Sequence, residues 1–349
     1  MKGRERKAAA PKALCKTGKK PAMRNERGFG DMRAIVIGGC GHIGTYLVPR
    51  LVEDGYEVLS ITRGKSEPYK TSGMWKWVEQ VIMDREEEEK NNTYGKKLAS
   101  LKPDIVVDLL TYQPDNLSRI VECLDGVVSH YVFCSSIWAH GAASVVPAPE
   151  ELPRKPFGDY GIGKAGCEAY LHEAYRKNRF PETVVMPGHI TGPGWNFINP
   201  CGNLDPMVFQ RIGRGQKIWL PNFGMETLHN VHADDVAQVF ANAIRYRNRA
   251  LGESFHAAAP AAVTMRGIAE KMYMWFGRTP DIEYLPWKEW CERTADKGFI
   301  SSTENHVRHS DNYSIEKART LLNYQPRYTI FQAMCEGVES MLARGVISI

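Results

Sequence analysis

The chain has 349 residues, 43% of them hydrophobic and 24% charged, enough to bury a sizeable core and too evenly mixed for disorder over most of its length. Its formal charge of +5 is misleading, because residues 1–30 hold ten Lys and Arg against only Glu5 and Glu26. The remainder carries about −3, so the folded body is not a basic nucleic-acid binder, and no apolar run approaches the roughly 18 residues of a membrane helix.

Residues 1–31 read as a basic, disordered extension, since Met32 would begin the first strand neatly and no apolar segment marks a secretory signal. An organelle-targeting or polyanion-binding tail is the sharper alternative. The 8 cysteines are scattered with no C-x-x-C pair, which argues against a disulfide framework or zinc knuckle and for a reducing cytoplasm. The histidines show no H-x-x-x-H spacing, so no metal site is expected.

Arg33-Ala34-Ile35-Val36-Ile37 is a short apolar run broken by Gly38-Gly39, a buried strand entering a tight turn. A helix is predicted over 43–54 and a second strand over 56–61. A weaker strand spans 78–83, and the acidic run Glu86–Glu89 reads as a solvated helix face or loop. Strands follow over 105–110 and 131–134, with a helix over 116–124 between them. A helix over 163–178 and a strand over 183–186 complete the series. This alternation predicts an α/β fold with a doubly wound parallel sheet. Beyond Pro187 the chain is rich in Gly, Pro, Asn and Trp through residue 224, the composition of a smaller lobe over the sheet's carboxyl edge.

Gly38, Gly41 and Gly44 have a G-x-x-G-x-x-G spacing with Gly39 beside the first and His42-Ile43 before the last. Between a strand and a helix, such a turn lets a pyrophosphate sit on the amide groups at the helix N-terminus. A dinucleotide-binding domain is therefore expected over 32–190, with 226–260 returning to it and 191–349 mainly binding substrate. The end of the second strand should read the adenosine ribose. Thr62-Arg63-Gly64-Lys65 stands there with no carboxylate, which suits a 2′-phosphate and favours NADP over NAD. Asp84 ends the third strand, as a partner for the adenine amino group or as a cap, and Leu109 of the fourth is placed against the cofactor.

Gly38-x-x-Gly41-x-x-Gly44, the strand running into Ser135-Ser136, and Tyr160-x-x-x-Lys164 together resemble the extended short-chain dehydrogenase/reductase family. Within it they are most similar to the NAD-dependent epimerase/dehydratase group that acts on sugar nucleotides. His232-Ala233-Asp234-Asp235-Val236-Ala237 is similar to the family's H-V-x-D-V-A segment. The resemblance implies a Rossmann-type lobe with a smaller C-terminal lobe, a catalytic set of Ser136, Tyr160 and Lys164, and a homodimer formed through the helix carrying Tyr170, Leu171, Ala174 and Tyr175.

The chemistry suits these residue types. A phenol titrates near 10 when unperturbed and is a poor base at neutral pH. A nearby ammonium and the nicotinamide cation favour its phenolate, and Lys164 lies one helical turn from Tyr160. Tyr160 would take a proton from a substrate hydroxyl as hydride leaves its carbon. Lys164 would hold the ribose hydroxyls, and Ser136 would orient the reacting oxygen, with Ser135 the alternative one residue away.

Departures from the family narrow the reaction. Ile137-Trp138 follows Ser136 where the family's dehydratases carry an Asp-Glu pair, so elimination of water lacks its proton shuttles. His189 stands where the family has an asparagine, and Leu228 where an arginine commonly grips a nucleotide diphosphate; Arg308, Arg211 or Arg214 are the candidate substitutes. Ser136, His189, Trp195, Asn196, Asn203 and Arg308 are the expected substrate contacts, with His229 and Thr111-Tyr112-Gln113 as further candidates. The reading is an NAD(P)-dependent epimerase of a nucleotide-activated sugar, working by oxidation and re-reduction. Its rivals are a net dehydrogenase or reductase of a sugar or other carbinol, and a non-catalytic dinucleotide sensor or RNA-associated protein.

Overall fold

The computed structural model describes residues 32–294 and 296–349; the basic tail over 1–31 lies outside them. The first unit is strand β1 (Arg33–Ile37), helix α1 (Gly44–Glu53) and strand β2 (Glu57–Thr62), followed by β3 (Glu79–Ile82), α2 (Arg85–Lys90) and α3 (Tyr94–Ser100). Next come β4 (Ile105–Asp108), α4 (Pro114–Leu124), β5 (His130–Cys134), α5 (Gly158–Asn178), β6 (Glu182–Pro187) and β7 (His189–Thr191). The second half holds α6 (Met207–Gly213), β8 (Ile218–Pro221), β9 (Thr227–Leu228), β10 (Asn230–His232), α7 (Ala233–Arg245), α8 (Arg247–Ala250), β11 (Ser254–Ala257) and β12 (Val263–Thr264). It ends with α9 (Met265–Trp275), β13 (Ile282–Leu285), α10 (Trp287–Thr294), α11 (Lys297–His309), α12 (Glu316–Leu322) and α13 (Ile330–Ala343).

Seven strands form one parallel sheet in the order β11-β6-β5-β4-β1-β2-β3, the doubly wound α/β arrangement the alternation predicts. Alternate residues of β1 serve opposite faces. Ala34 and Val36 pack with Leu47 and Leu51 of α1 and with Val239 and Phe240 of α7. Ile35 and Ile37 pack with Leu117 and Ile120 of α4 and with Cys167 and Leu171 of α5. Both faces are covered, so the strands read as unbroken apolar runs. Deleting a side chain such as Leu47, which is fully buried, costs about 2–5 kcal/mol.

The strand order reverses at β1, so the loops after β1 and β4 diverge and leave a crevice at the carboxyl edge. Over that edge β7 pairs with β10, and β8 pairs with β13. The lobe built on them shares its apolar interior with the α1–α7 face of the sheet.

One boundary expected from the sequence needs correction. Helix α5 starts at Gly158, five residues before the predicted position, because Gly158, Gly161 and Gly163 mask its first turn. In α9, Met272 is buried and Met274 lies on the outer face at 69% exposure. On α5, Leu171 and Ala174 belong to the chain's own core and are not available to a partner.

Candidate active site

Gly38 adopts φ +87°, the left-handed region that favours glycine. A Cβ at Gly44 would collide with the carbonyl of Gly39, so α1 can start this close to the turn only without a side chain. Above the turn opens a cavity of about 450 Å³, lined by Gly38, Gly41, Arg63, Lys65 and Ser66 among others. A second cavity of about 340 Å³ shares Gly38, Gly41, Tyr69, Leu110 and Tyr112 with it, and so continues the same cleft. His42, Ile43, Leu109, Ser136, Tyr160 and Lys164 line this second part. An extended cleft with a glycine cradle in the middle, cations at one end and a Tyr/Lys/Ser set at the other fits a dinucleotide.

Asp84 takes the capping alternative: its carboxylate accepts from the backbone N–H groups of Glu86 and Glu87 at the start of α2. Arg85, Glu86 and Glu89 line the cleft there instead.

Tyr160 sits in the first turn of α5 and is 43% exposed. Lys164, one turn on, is buried, and its ammonium donates to the carbonyl oxygens of Cys134 at 2.6 Å and Thr111 at 2.8 Å. It lies 6.0 Å from the centre of the Tyr160 ring. Burial pushes the Tyr160 phenol well up from its ordinary value, and Cys134 and Tyr112 add to this, while a hydrogen bond with Ser136 opposes it. Burial lowers the Lys164 ammonium, with Cys134 and Asp108 acting against that. In this arrangement the lysine is anchored by two carbonyls, and the phenol remains protonated at neutral pH.

The two serines are separated by their partners. Ser135 gives its hydroxyl to Glu168, which is also paired with Arg154 at 2.8 Å. Arg154 donates to Nδ1 of His140 at 3.1 Å, and Nε2 of His140 is 2.8 Å from Nε2 of His256. Nδ1 of His256 meets the carbonyl of Ser314 at 2.9 Å. Both histidines are held neutral, chiefly by burial, so the chain runs in one direction: Arg154 to His140 to His256 to Ser314. This buried network ties β5, α5, β11 and the segment before α12 together. The Ser136 oxygen accepts from the Trp138 N–H at 3.2 Å, and its hydroxyl is the group that hydrogen-bonds the Tyr160 phenol.

Beyond Tyr160 stands a cluster that the sequence reading did not assemble. Trp138 meets Tyr160 edge-on at 6.1 Å and lies flat on His309 at 4.5 Å. Its indole N–H donates to Asp311 Oδ2 at 3.2 Å, and His189 Nε2 is 3.1 Å from the same oxygen. His306 packs against both Trp138 and His189. Burial tends to raise the Asp311 carboxyl, but the His189 hydrogen bond and the three neighbouring imidazoles hold it below the usual carboxylate value. Burial takes His306 down to about 3.

A model of the NAD dependent epimerase/dehydratase family matches residues 34–258. The chain belongs to that family. It is 26% identical to the 2′-dehydrokanamycin reductase of Streptomyces kanamyceticus, over 78% of this chain and 74% of that protein. It is 24% identical to the chloroplast stem-loop binding protein of 41 kDa b of Arabidopsis thaliana, over 90% and 80% of the two chains. Among solved structures, a UDP-glucose 4-epimerase of Thermotoga maritima with UDP-glucose superposes with a TM-score of 0.69 at 20% identity, covering 90% of this chain and 99% of that one. These likenesses establish an extended short-chain dehydrogenase/reductase fold.

Against that family's pattern, the expected substrate contacts divide. His189 stands beside the catalytic set through Trp138. Trp195 is buried and stacks on His42 at 4.0 Å, closing the cleft over the glycine turn together with Tyr69. Asn203 is buried and spends its amide on Thr303 and its oxygen on Asn199 and Asp205, so it shapes its loop. His229 is consumed by the Ala259 carbonyl and the Tyr313 N–H. Asn196 is exposed away from the lined cleft.

Leu228, at the family's arginine position, is fully buried. Its proposed substitutes are engaged elsewhere: Arg211 faces Asp205, Arg214 bonds Ser348, and Arg308 lies over Phe157 at 4.3 Å. None of the three lines the cleft. The residues the sequence reading missed, His306, His309 and Asp311, carry a detectable signal in their H-x-x-H-x-D spacing, which places both imidazoles on one face at the end of α11. Among the described residues no His, Cys, Asp and Glu group is arranged to hold a metal ion, and no helix is long and apolar enough to cross a membrane.

Proposed function

We propose that the chain is an NAD(P)-dependent oxidoreductase that interconverts a carbinol and a ketone on a sugar-like substrate. The observation that carries this reading is the single cleft that holds the glycine turn at its centre and Ser136, Tyr160 and Lys164 at one end. The nicotinamide, when bound, accepts or returns the hydride. Tyr160 takes the hydroxyl proton as the carbonyl forms, or gives it back in reduction. Ser136, whose oxygen is already held by Trp138, directs its hydrogen to the substrate oxygen. Lys164 fixes the floor between the loops after β4 and β5, from which its charge favours the phenolate once the cofactor's own positive ring is present.

The lining of the adenosine end supports NADP. Arg63, Lys65 and Ser66 converge on the cavity after β2, where two cations and a hydroxyl suit a 2′-phosphate.

Net redox is preferred to epimerisation for a physical reason. Re-reduction from the opposite face needs a ketone that turns over without leaving, which calls for a tether such as a diphosphate grip. No arginine lines the catalytic part of the cleft to supply one. The 2′-dehydrokanamycin reductase, matched over 78% of this chain, is named for a reductive activity. Epimerisation of a nucleotide sugar is the second reading, favoured by the family match and by Ile137-Trp138 in place of an acid/base pair for dehydration. The non-catalytic, RNA-associated alternative has the body's charge of about −3 against it, although one relative is named a stem-loop binding protein.

The deciding experiment incubates the full chain and its Tyr160→Phe variant with NADP⁺ or NADPH and a set of sugars, their ketones and their UDP derivatives. Stoichiometric change in reduced cofactor by the native chain, abolished in Tyr160→Phe with cofactor binding retained, is expected. Product exchange without net reduction favours the epimerase instead. Unchanged turnover in Tyr160→Phe overturns both.

A further inference from the structure

Tyr69 stands where the two parts of the cleft meet. It lines both cavities, together with Gly38 and Gly41 of the glycine turn. Its ring centre lies 5.3 Å from that of His42 and 5.1 Å from that of Trp195. The ring also rests on the backbone of Gly194, where a Cβ would collide with it. Gly194 has φ +107°, so the close approach and the backbone angle both favour glycine there. Tyr69 thus reaches from the segment after β2 to the corner between β7 and α6, and bridges the cleft at its middle.

The two sides of this bridge differ in how firmly they are held. The receiving corner is fixed. Trp195 is buried with its indole N–H on the Ile190 carbonyl at 3.3 Å, and the Gly194 N–H donates to the Ser340 hydroxyl of α13 at 3.1 Å. The segment over 63–71 is exposed at every position but Pro68, which is half-buried. Among the described residues its backbone N–H groups make two hydrogen bonds, from Gly64 to the Thr62 hydroxyl at 3.1 Å and from Tyr69 to Thr45 Oγ1 at 2.9 Å. A segment held by so few contacts opens at low cost, while the corner it touches stays in place.

A dinucleotide is a dumbbell, because its adenosine and nicotinamide ends are both wider than the pyrophosphate between them. With the pyrophosphate at the glycine turn, one end lies on each side of Tyr69. Neither end can be threaded under a ring that spans the cleft, so the ring has to lift. We propose that Tyr69 is a latch, and that release of its ring from Gly194 and Trp195 admits and frees the dinucleotide. The inference rests on the dinucleotide reading above and adds how that site exchanges its cofactor. Every contact of the latch is made within the chain, so opening it costs the same before binding as after. It therefore slows entry and exit alike and leaves affinity nearly unchanged.

The test measures association and dissociation of NADPH by stopped-flow nicotinamide fluorescence with the full chain. The native protein is compared with Tyr69→Ala, Tyr69→Phe and Thr45→Val. Tyr69→Ala should raise both rate constants about 10-fold and shift Kd by less than about threefold. Tyr69→Phe keeps the ring and should behave as the native chain does. Thr45→Val removes only the acceptor of the Tyr69 N–H and should raise both rates about threefold, a second route if Tyr69→Ala disturbs the loop. Adenosine 2′,5′-bisphosphate occupies only the end beside Arg63 and Lys65 and passes no bridge, so Tyr69→Ala should leave its rates native. Unchanged NADPH rates in Tyr69→Ala overturn the inference. A rise in dissociation alone also overturns it, marking the ring as a contact to the cofactor, and equal effects on the two ligands do so by marking a general loosening. Failure of the dinucleotide reading looks different: the native chain then binds no NADPH, and the latch falls with it, whereas native binding with unaltered variant rates removes the latch only.

Discussion

The Lys164 ammonium donates to the carbonyl oxygen of Cys134 at 2.6 Å, at the point where β5 ends. A second bond to Thr111 makes this buried cation a bolt between the loops after β4 and β5. The same bolt sets the distance between Ser136 on one loop and Tyr160 on α5. Lys164→Met removes both bonds and leaves two carbonyls without a donor. Turnover should fall at least 100-fold, with a loss of about 1–3 kcal/mol in stability for each stranded carbonyl. Steady-state kinetics together with urea unfolding check both parts. A variant that loses turnover with native stability would show that the carbonyl bonds carry no structural weight.

The Tyr160 phenol fixes the direction of the pH dependence. Burial raises it above its ordinary value, so oxidation of a carbinol, which needs phenolate, should speed up as pH rises through the alkaline range. Ketone reduction needs the phenol and should hold its rate through neutrality, then fall. Paired pH–rate profiles in the two directions measure this. Parallel profiles would indicate a different proton carrier.

The central fold was legible because both-face burial leaves an apolar run at each strand, as in Ile105-Val106-Val107. The glycine spacing is equally legible, since the collision at Gly44 is a backbone matter that no tertiary contact can disguise. What could not be read was which side chains the second lobe delivers. Asp311 is 122 residues from His189 in sequence by their numbering, and nothing local joins them; only the packing of α11 under Trp138 does. For the same reason Asn203 and His229 looked like substrate contacts, whereas their polar atoms are spent on loop carbonyls and neighbours inside the lobe. Trp138 was read only for the acid/base pair it displaces, yet it joins Tyr160 to the cluster around Asp311.

Cofactor choice follows from the cations after β2. Arg63→Ala combined with Lys65→Ala removes the charges facing the cavity there. NADPH affinity should fall about 10- to 100-fold, and NADH affinity should change by less than about threefold, because charge-assisted bonds to a phosphate contribute roughly 1.5–3 kcal/mol and no such group exists on NADH. Fluorescence titration with each cofactor gives the comparison. Equal losses for both would place the two cations against the shared pyrophosphate.

Acid stability should be governed by the buried histidines. His130 and His140 are lowered to about 3 and His229 to about 4, in each case first by burial. His306 joins them at about 3. In the unfolded chain each titrates near 6.5, so between pH 6.5 and about 4 the unfolded state binds protons that the folded state refuses. Stability therefore rises with pH across this window and is lost as pH falls through it. Each fully shifted histidine contributes a slope approaching 1.4 kcal/mol per pH unit, so four acting together should cost about 4 kcal/mol or more between pH 6.5 and 5. Urea unfolding at half-unit pH steps measures the slope. His130→Asn should flatten it by about one proton, since that ring hydrogen-bonds Thr183 at 2.8 Å and does not line the catalytic cleft; a curve level from pH 5 to 7 would mean that these rings accept protons in the folded chain.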